Sequence, residues 1–200
     1  MENLFLNNIG NLIIAPHNYW LNISKQSLDR ESIVRYCLLP LLTINATVGW
    51  LLTYPLDGVY TANIKAGTWL VVTMLIFFLV SEILALVVDR AVIPKNRTHE
   101  EKILLSQNIF AVMAFGSTAV LLLSCAYLFA DLKPEIFLAL VIGAYVHSAV
   151  SMFFGVKMLL GLSNLKAFIL LILGFIISSF VAAVVGIAIY PIVGRIAGLS

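Results

Sequence analysis

The sequence predicts an all-α fold: a polytopic membrane bundle of five transmembrane helices, preceded by a short N-terminal amphipathic interfacial helix segment. Three observations lead there. Hydrophobic residues make up 62% of the 200 positions and charged residues only 11%, outside the usage of soluble domains. The apolar positions gather into five runs, at about 33–54, 67–88, 103–130, 136–156 and 167–193. Each run supplies roughly 20 residues, which at ~1.5 Å of rise apiece matches a ~30 Å hydrocarbon core. Lipid offers no partner to an open backbone amide or carbonyl, so every run is helical.

The chain divides into a cytosolic amphipathic segment with its linker, residues 1–32, and a five-span transmembrane domain, residues 33–200. Little remains outside the spans, which leaves no room for a separate catalytic domain. The opening MENLF places an acid where a signal peptide would carry basic residues, so no cleaved leader is expected.

In the first segment Phe5, Ile9, Leu12, Pro16, Trp20 and Ile23 recur at helical spacing, while Asn3, Asn7, Asn11, Asn18 and Asn22 occupy other faces. Pro16 is expected to end one short helix and open the next, because proline is tolerated in a helix's first turn. The pair reads either as amphipathic helices lying on the cytosolic leaflet, with Pro16 and Trp20 as the interfacial anchor, or as a structural foot packed under the bundle. Pro40 should kink the first span, and Asn45 one turn on can bond a neighbouring helix. Pro55–Ala66 reads as a short loop with a Pro-Leu-Asp-Gly turn.

Charge sets the expected orientation. Lys25, Arg30, Arg35, Arg90, Lys95, Arg97, Lys102, Lys157 and Lys166 fall on one side of five spans, nine of the 12 basic residues; Lys65, Lys133 and Arg195 fall on the other. The positive-inside rule then places the N-terminus in the cytosol and the C-terminus outside. Cys37 and Cys125 lie at opposite depths, which excludes a disulfide between them. The glycosylation patterns at Asn22, Asn45 and Asn96 fall on the cytosolic side or inside a span and are discounted.

The last two spans carry stripes of small residues. Ala139, Gly143, His147, Ser151 and Gly155 recur every four residues, as do Gly174, Ser178, Ala182 and Gly186. Such stripes let helix backbones approach closely in lipid, so the fourth and fifth spans are expected to pair through them.

Intramembrane ionisable groups are functional candidates by default. By helix rise, Glu82 lies ~10 Å inside the cytosolic boundary and His147 ~15 Å inside it. Gln107, Asn108 and Ser151 share the depth of Glu82; Ser178 and Ser179 share that of His147. Glu82, Asn108 and His147 therefore form a candidate polar layer, with Glu82 as titrating acid and His147 as relay. The plainer alternative is interhelical hydrogen bonding, with Glu82 joined to Asn108 or Gln107 and His147 to Ser178. No zinc-spaced His/Cys cluster, phosphate loop or nucleophile elbow is present in the sequence, so neither a catalytic residue nor a cofactor or metal is expected.

Pro16, Trp20 and Ile23 in a P-x3-W-x2-I pattern, a short polar linker, and a first span bearing Pro40 resemble the start of a YIP (Ypt/Rab-interacting protein) domain. HEEKILLSQNIFAVMAFGSTAVLLL is similar to that family's polar lead-in to an apolar span. IGAYVHSAVSMFFGVKMLLGLSNLKA resembles its aromatic segment with a glycine, here Gly155, and a short basic loop. The third span has Phe115-Gly116-Ser117 where many relatives carry proline, and the DLYGP-like signature of the trafficking members is absent. The resemblance thus implies a bacterial-type relative in the plasma (inner) membrane, a group without an established common activity.

Together these readings favour a non-enzymatic scaffold, partner-binding or membrane-organising protein. The expected partners are the lipid bilayer and a protein at the cytosolic face, with no nucleic acid. The alternative is a small transporter or channel using the Glu82/Asn108/His147 layer, its pathway built between the protomers of a homodimer.

Overall fold

A computed structural model describes residues 10–26, 29–91, 98–123 and 134–196. Among the described residues the secondary structure is helical throughout, without strands, and five helices are long and apolar enough to cross a membrane. After a helical turn over residues 10–14 come α1 (Pro16–Ile23), α2 (Arg30–Leu56) and α3 (Gly58–Arg90). They are followed by α4 (His99–Gly116), the short α5 (Thr118–Leu123), α6 (Pro134–Leu160) and α7 (Asn164–Ile196). Phe5, Ile9, Lys95, Arg97, Asn96, Cys125, the tail of the third span beyond Leu123 and the turn at Asp131–Lys133 lie outside the described residues.

Each helix boundary has a local cause. Pro16 opens α1, where its missing N–H costs nothing. Asp29 caps α2 by accepting from the Ser32 amide at 2.8 Å. Thr98 and Glu101 close a reciprocal capping box on α4, with Thr98 N donating to Glu101 Oε2 at 2.8 Å. In α2 the backbone widens into a π-helical turn over Val34–Leu38, just before Pro40. A proline ring crowds the carbonyl four residues back, and the wider turn makes room for it.

The loop expected at Pro55–Ala66 shrinks to a single residue. Leu39–Ala91 is helical on both sides of Gly58, whose φ of 78° and ψ of 169° break the run. Only glycine adopts that conformation without a large penalty. Nothing in the following VYTANIKA stops a helix, so the second span starts at 58 rather than 67. Trp50 Nε1 donates across the break to Asn63 Oδ1 at 2.8 Å. Gly161, with φ 62°, ends α6, and three residues join it to α7.

In the bundle α3 packs between α4 and α7, and α4 also packs on α6. The buried core runs through Leu38, Leu42, Val80, Val88, Phe110 and Phe115. Gly116 is a site of close approach: a Cβ there would collide with the Met152 side chain of α6. Asn45 Nδ2 donates to the Leu121 carbonyl at 2.5 Å, tying α2 to α5.

One expectation needs correction. The fourth and fifth spans do not zip together through their small-residue stripes. A Cβ at Gly143 or Gly186 would meet nothing within 4 Å, and one at Gly174 would meet Leu84 of α3 at 3.6 Å. The stripe of α6 is instead met by the N-terminal segment, which packs on the bundle, as the structural-foot reading has it, against α6 and Phe115 of α4.

Candidate functional site

The N-terminal segment is held by six contacts that no single sequence pattern announces. Trp20 is fully buried, its ring seated on Gly155, where an added Cβ would come within 2.8 Å of it. Trp20 Nε1 donates to Ser151 Oγ at 3.1 Å. His17 meets Phe154 edge-on, with ring centroids 5.2 Å apart. Tyr19 and Trp20 both contact Phe115 of α4, at 5.7 and 5.9 Å between centroids. Further down the segment, the Ile13 carbonyl accepts from His147 Nε2 at 2.9 Å. A carbonyl only accepts, so His147 carries its proton on Nε2, and its buried Nδ1 has no partner.

These contacts fix a direction. From Trp20 beside Gly155 to Ile13 beside His147, the segment descends along α6 away from the Leu160 end. Ile13 lies level with a residue 12 positions before Leu159, ~18 Å along the helix. Apolar spacing sends Leu12, Tyr19, Trp20 and Ile23 inward, and leaves Asn18 and Asn22 exposed on the outer side. With Asn11, Lys25 and Gln26, and with Tyr19 and Ile23 at its floor, they line a concavity of about 520 Å³. The Tyr19 hydroxyl is buried without a hydrogen-bond partner, and burial pushes its pKa well up, so it stays protonated.

Glu82 is engaged elsewhere. Arg30, the first residue of α2, places Nη1 2.6 Å from Glu82 Oε1 of α3 and donates from Nη2 to Ser106 Oγ of α4 at 2.6 Å. Ser106 in turn donates to the Glu82 carboxylate at 3.3 Å. The guanidinium also lies 5.1 Å from the Phe110 ring centre and 5.7 Å from that of Phe78. Arg30 thus supplies the counter-charge to Glu82. Two residues past Ser106, Asn108 Nδ2 donates to the Leu159 carbonyl at 3.3 Å, so the Glu82 cluster stands level with the end of α6.

The three residues of the expected polar layer therefore take three separate partners: Glu82 with Arg30 and Ser106, Asn108 with Leu159, and His147 with Ile13. His147 does not bond Ser178, and Glu82 bonds neither Asn108 nor Gln107. Ser151 and Gly155 serve the N-terminal segment, and Pro16 and Trp20 belong to the docked helix rather than to a free anchor. Among the described residues, no group of three His, Cys, Asp or Glu side chains is arranged to hold a metal. Comparisons with protein-family models, with curated proteins and with solved structures find no match to this chain.

Proposed function

We propose that this chain is a non-enzymatic, YIP-like integral membrane protein that binds a protein partner through its N-terminal arm, residues 10–26. In this reading the N-terminus is cytosolic, the C-terminus lies outside, and the membrane is the plasma membrane. The observation that carries it is the exposed polar row of Asn18, Asn22 and Gln26 on an arm whose contacts run ~12 Å along α6, from Gly155 to His147. An amide facing hydrocarbon is costly unless hydrogen-bonded, and amides across a helix interface associate helices in lipid. The partner is a helix of another protein that carries hydrogen-bonding side chains and meets Lys25 at the cytosolic boundary.

The separate pairing of Glu82, Asn108 and His147 favours this reading over ion conduction, because each group serves as a clamp between elements. A photoreactive residue at Asn18 or Asn22, in intact membranes, should give one discrete protein adduct. Replacing the remaining amides with leucine should abolish that adduct, while the same probe at Phe180 on the exposed side of α7 should give lipid adducts alone. Identical adduct patterns at Asn22 and Phe180 would refute the reading; an adduct of two copies of this chain would make the partner a homodimer.

A further inference from the structure

The packed helices α3 and α7 each carry an exposed cation at the same end of the bundle, and neither cation has an acid partner. Antiparallel pairing joins α3 to α4 through Asp89 with Lys102 and Glu82 with Ser106, and α4 to α6 through Asn108 with Leu159. A three-residue turn then leads into α7, so the last turn of α3 and the first turn of α7 share one end. Leu84 of α3 lies level with Gly174 of α7, where an added Cβ would meet it at 3.6 Å. Arg90 is ~9 Å beyond Leu84 and Lys166 is ~12 Å before Gly174, which brings the two cations within ~3 Å of one level. Both side chains are exposed, and among the described residues neither forms an ion pair. The acids of α3 are used within the fold, Asp89 by Lys102 and Glu82 by Arg30. Lys166 stands in the first turn of α7, which holds no acid, so it adds to the positive end of the helix dipole instead of offsetting it.

We propose that Arg90 and Lys166 together hold the phosphate of an anionic phospholipid. Packed helices lie ~8–10 Å apart, so a phosphate between two long basic side chains at one level meets both. The surface that leads away from each cation suits acyl chains. Leu79, Ile83 and Leu86 share the face of Arg90 at helical spacing, and Ile169 and Phe180 share that of Lys166. All five are exposed. The headgroup is anionic because a zwitterionic one would bring its own ammonium beside two uncompensated cations and the N-terminus of α7. The site rests on the membrane reading but not on the arm's partner.

The test uses the full chain in phosphatidylcholine nanodiscs carrying a trace of photoreactive phosphatidylglycerol or phosphatidylcholine, both with the same diazirine-bearing acyl chain. Phosphatidylglycerol should label Ile83 and Ile169 in excess of phosphatidylcholine, while the two should label Ile142, exposed on α6, equally. Arg90→Gln or Lys166→Gln should each cut that excess about fivefold, the worth of one basic residue at an anionic surface, and the double variant should remove it. Lys157→Gln, an exposed cation on α6, should leave it unchanged. Phosphatidylcholine labelling that stays constant across the variants shows the bundle to be intact. Equal labelling of Ile83 and Ile169 by the two lipids, or an excess that survives the double variant, would overturn the proposal. So would an excess that Lys157→Gln removes as fully, since that marks a diffuse field and no site. Failure of both lipids to label Ile142 would overturn the membrane reading itself, and this site with it.

Discussion

Trp20 and Gly155 form the contact on which the arm depends. The indole fills the space that a side chain at 155 would take, and its N–H is satisfied by Ser151. Removing the ring should cost about 3 kcal/mol, the lower end for a buried aromatic, since in the membrane reading proposed above lipid supplies no hydrophobic drive. Gly155→Ala should cost about 1–3 kcal/mol, because a rigid ring 2.8 Å away has little room to yield. Thermal unfolding of the purified protein in one detergent measures both, and the two losses should not add, since each displaces the same side chain. The sequence showed that something small recurs on α6, but periodicity alone does not say what fills the gap. The partner of Glu82 was equally hidden: Arg30 is 52 positions earlier, and only the packing of α2, α3 and α4 brings them together.

At the scale of elements, composition was the reliable guide and boundaries were not. All five apolar runs correspond to helices, because nothing else satisfies so apolar a backbone. The second helix begins nine residues before its apolar run (58 against 67), since polar residues continue a helix readily once Gly58 has redirected the chain. The capping box at Thr98 and Glu101 was legible as T-x-x-E yet carries no apolar signal. The cap of α2 offers a pH test. Hydrogen bonds from Ser32, side chain first and then backbone, hold the Asp29 carboxyl below its ordinary 3.8. A carboxyl whose pKa is depressed by folding stabilises the fold above its unfolded pKa, and that contribution is lost as pH falls through the folded value. Asp29→Asn should therefore lower Tm at neutral pH, and the gap to the parent protein should close as the pH drops below 3.8. A gap unchanged down to that acidity would show that the carboxylate is not the cap.

For the molecule as a whole, the helical apolar spacing of Leu12, Trp20 and Ile23 was readable, but the destination of that face was not. A stripe of Leu12, Trp20 and Ile23 serves equally against lipid or against protein, and only the crevice between α4 and α6 decides. The consequence is an arm that enters the bundle's flank and turns amides outward. Depth measurement tests this most directly. A spin label at Ile14, 85% exposed on the arm, in a chain with Cys37 and Cys125 replaced by serine, reports relaxation by oxygen and by a water-soluble nickel complex. An embedded arm should make Ile14 accessible to oxygen and shielded from nickel, at a depth matching a label on Val146 beside His147. Strong nickel relaxation at Ile14, with Val146 still deep, would contradict it and return the segment to the membrane surface.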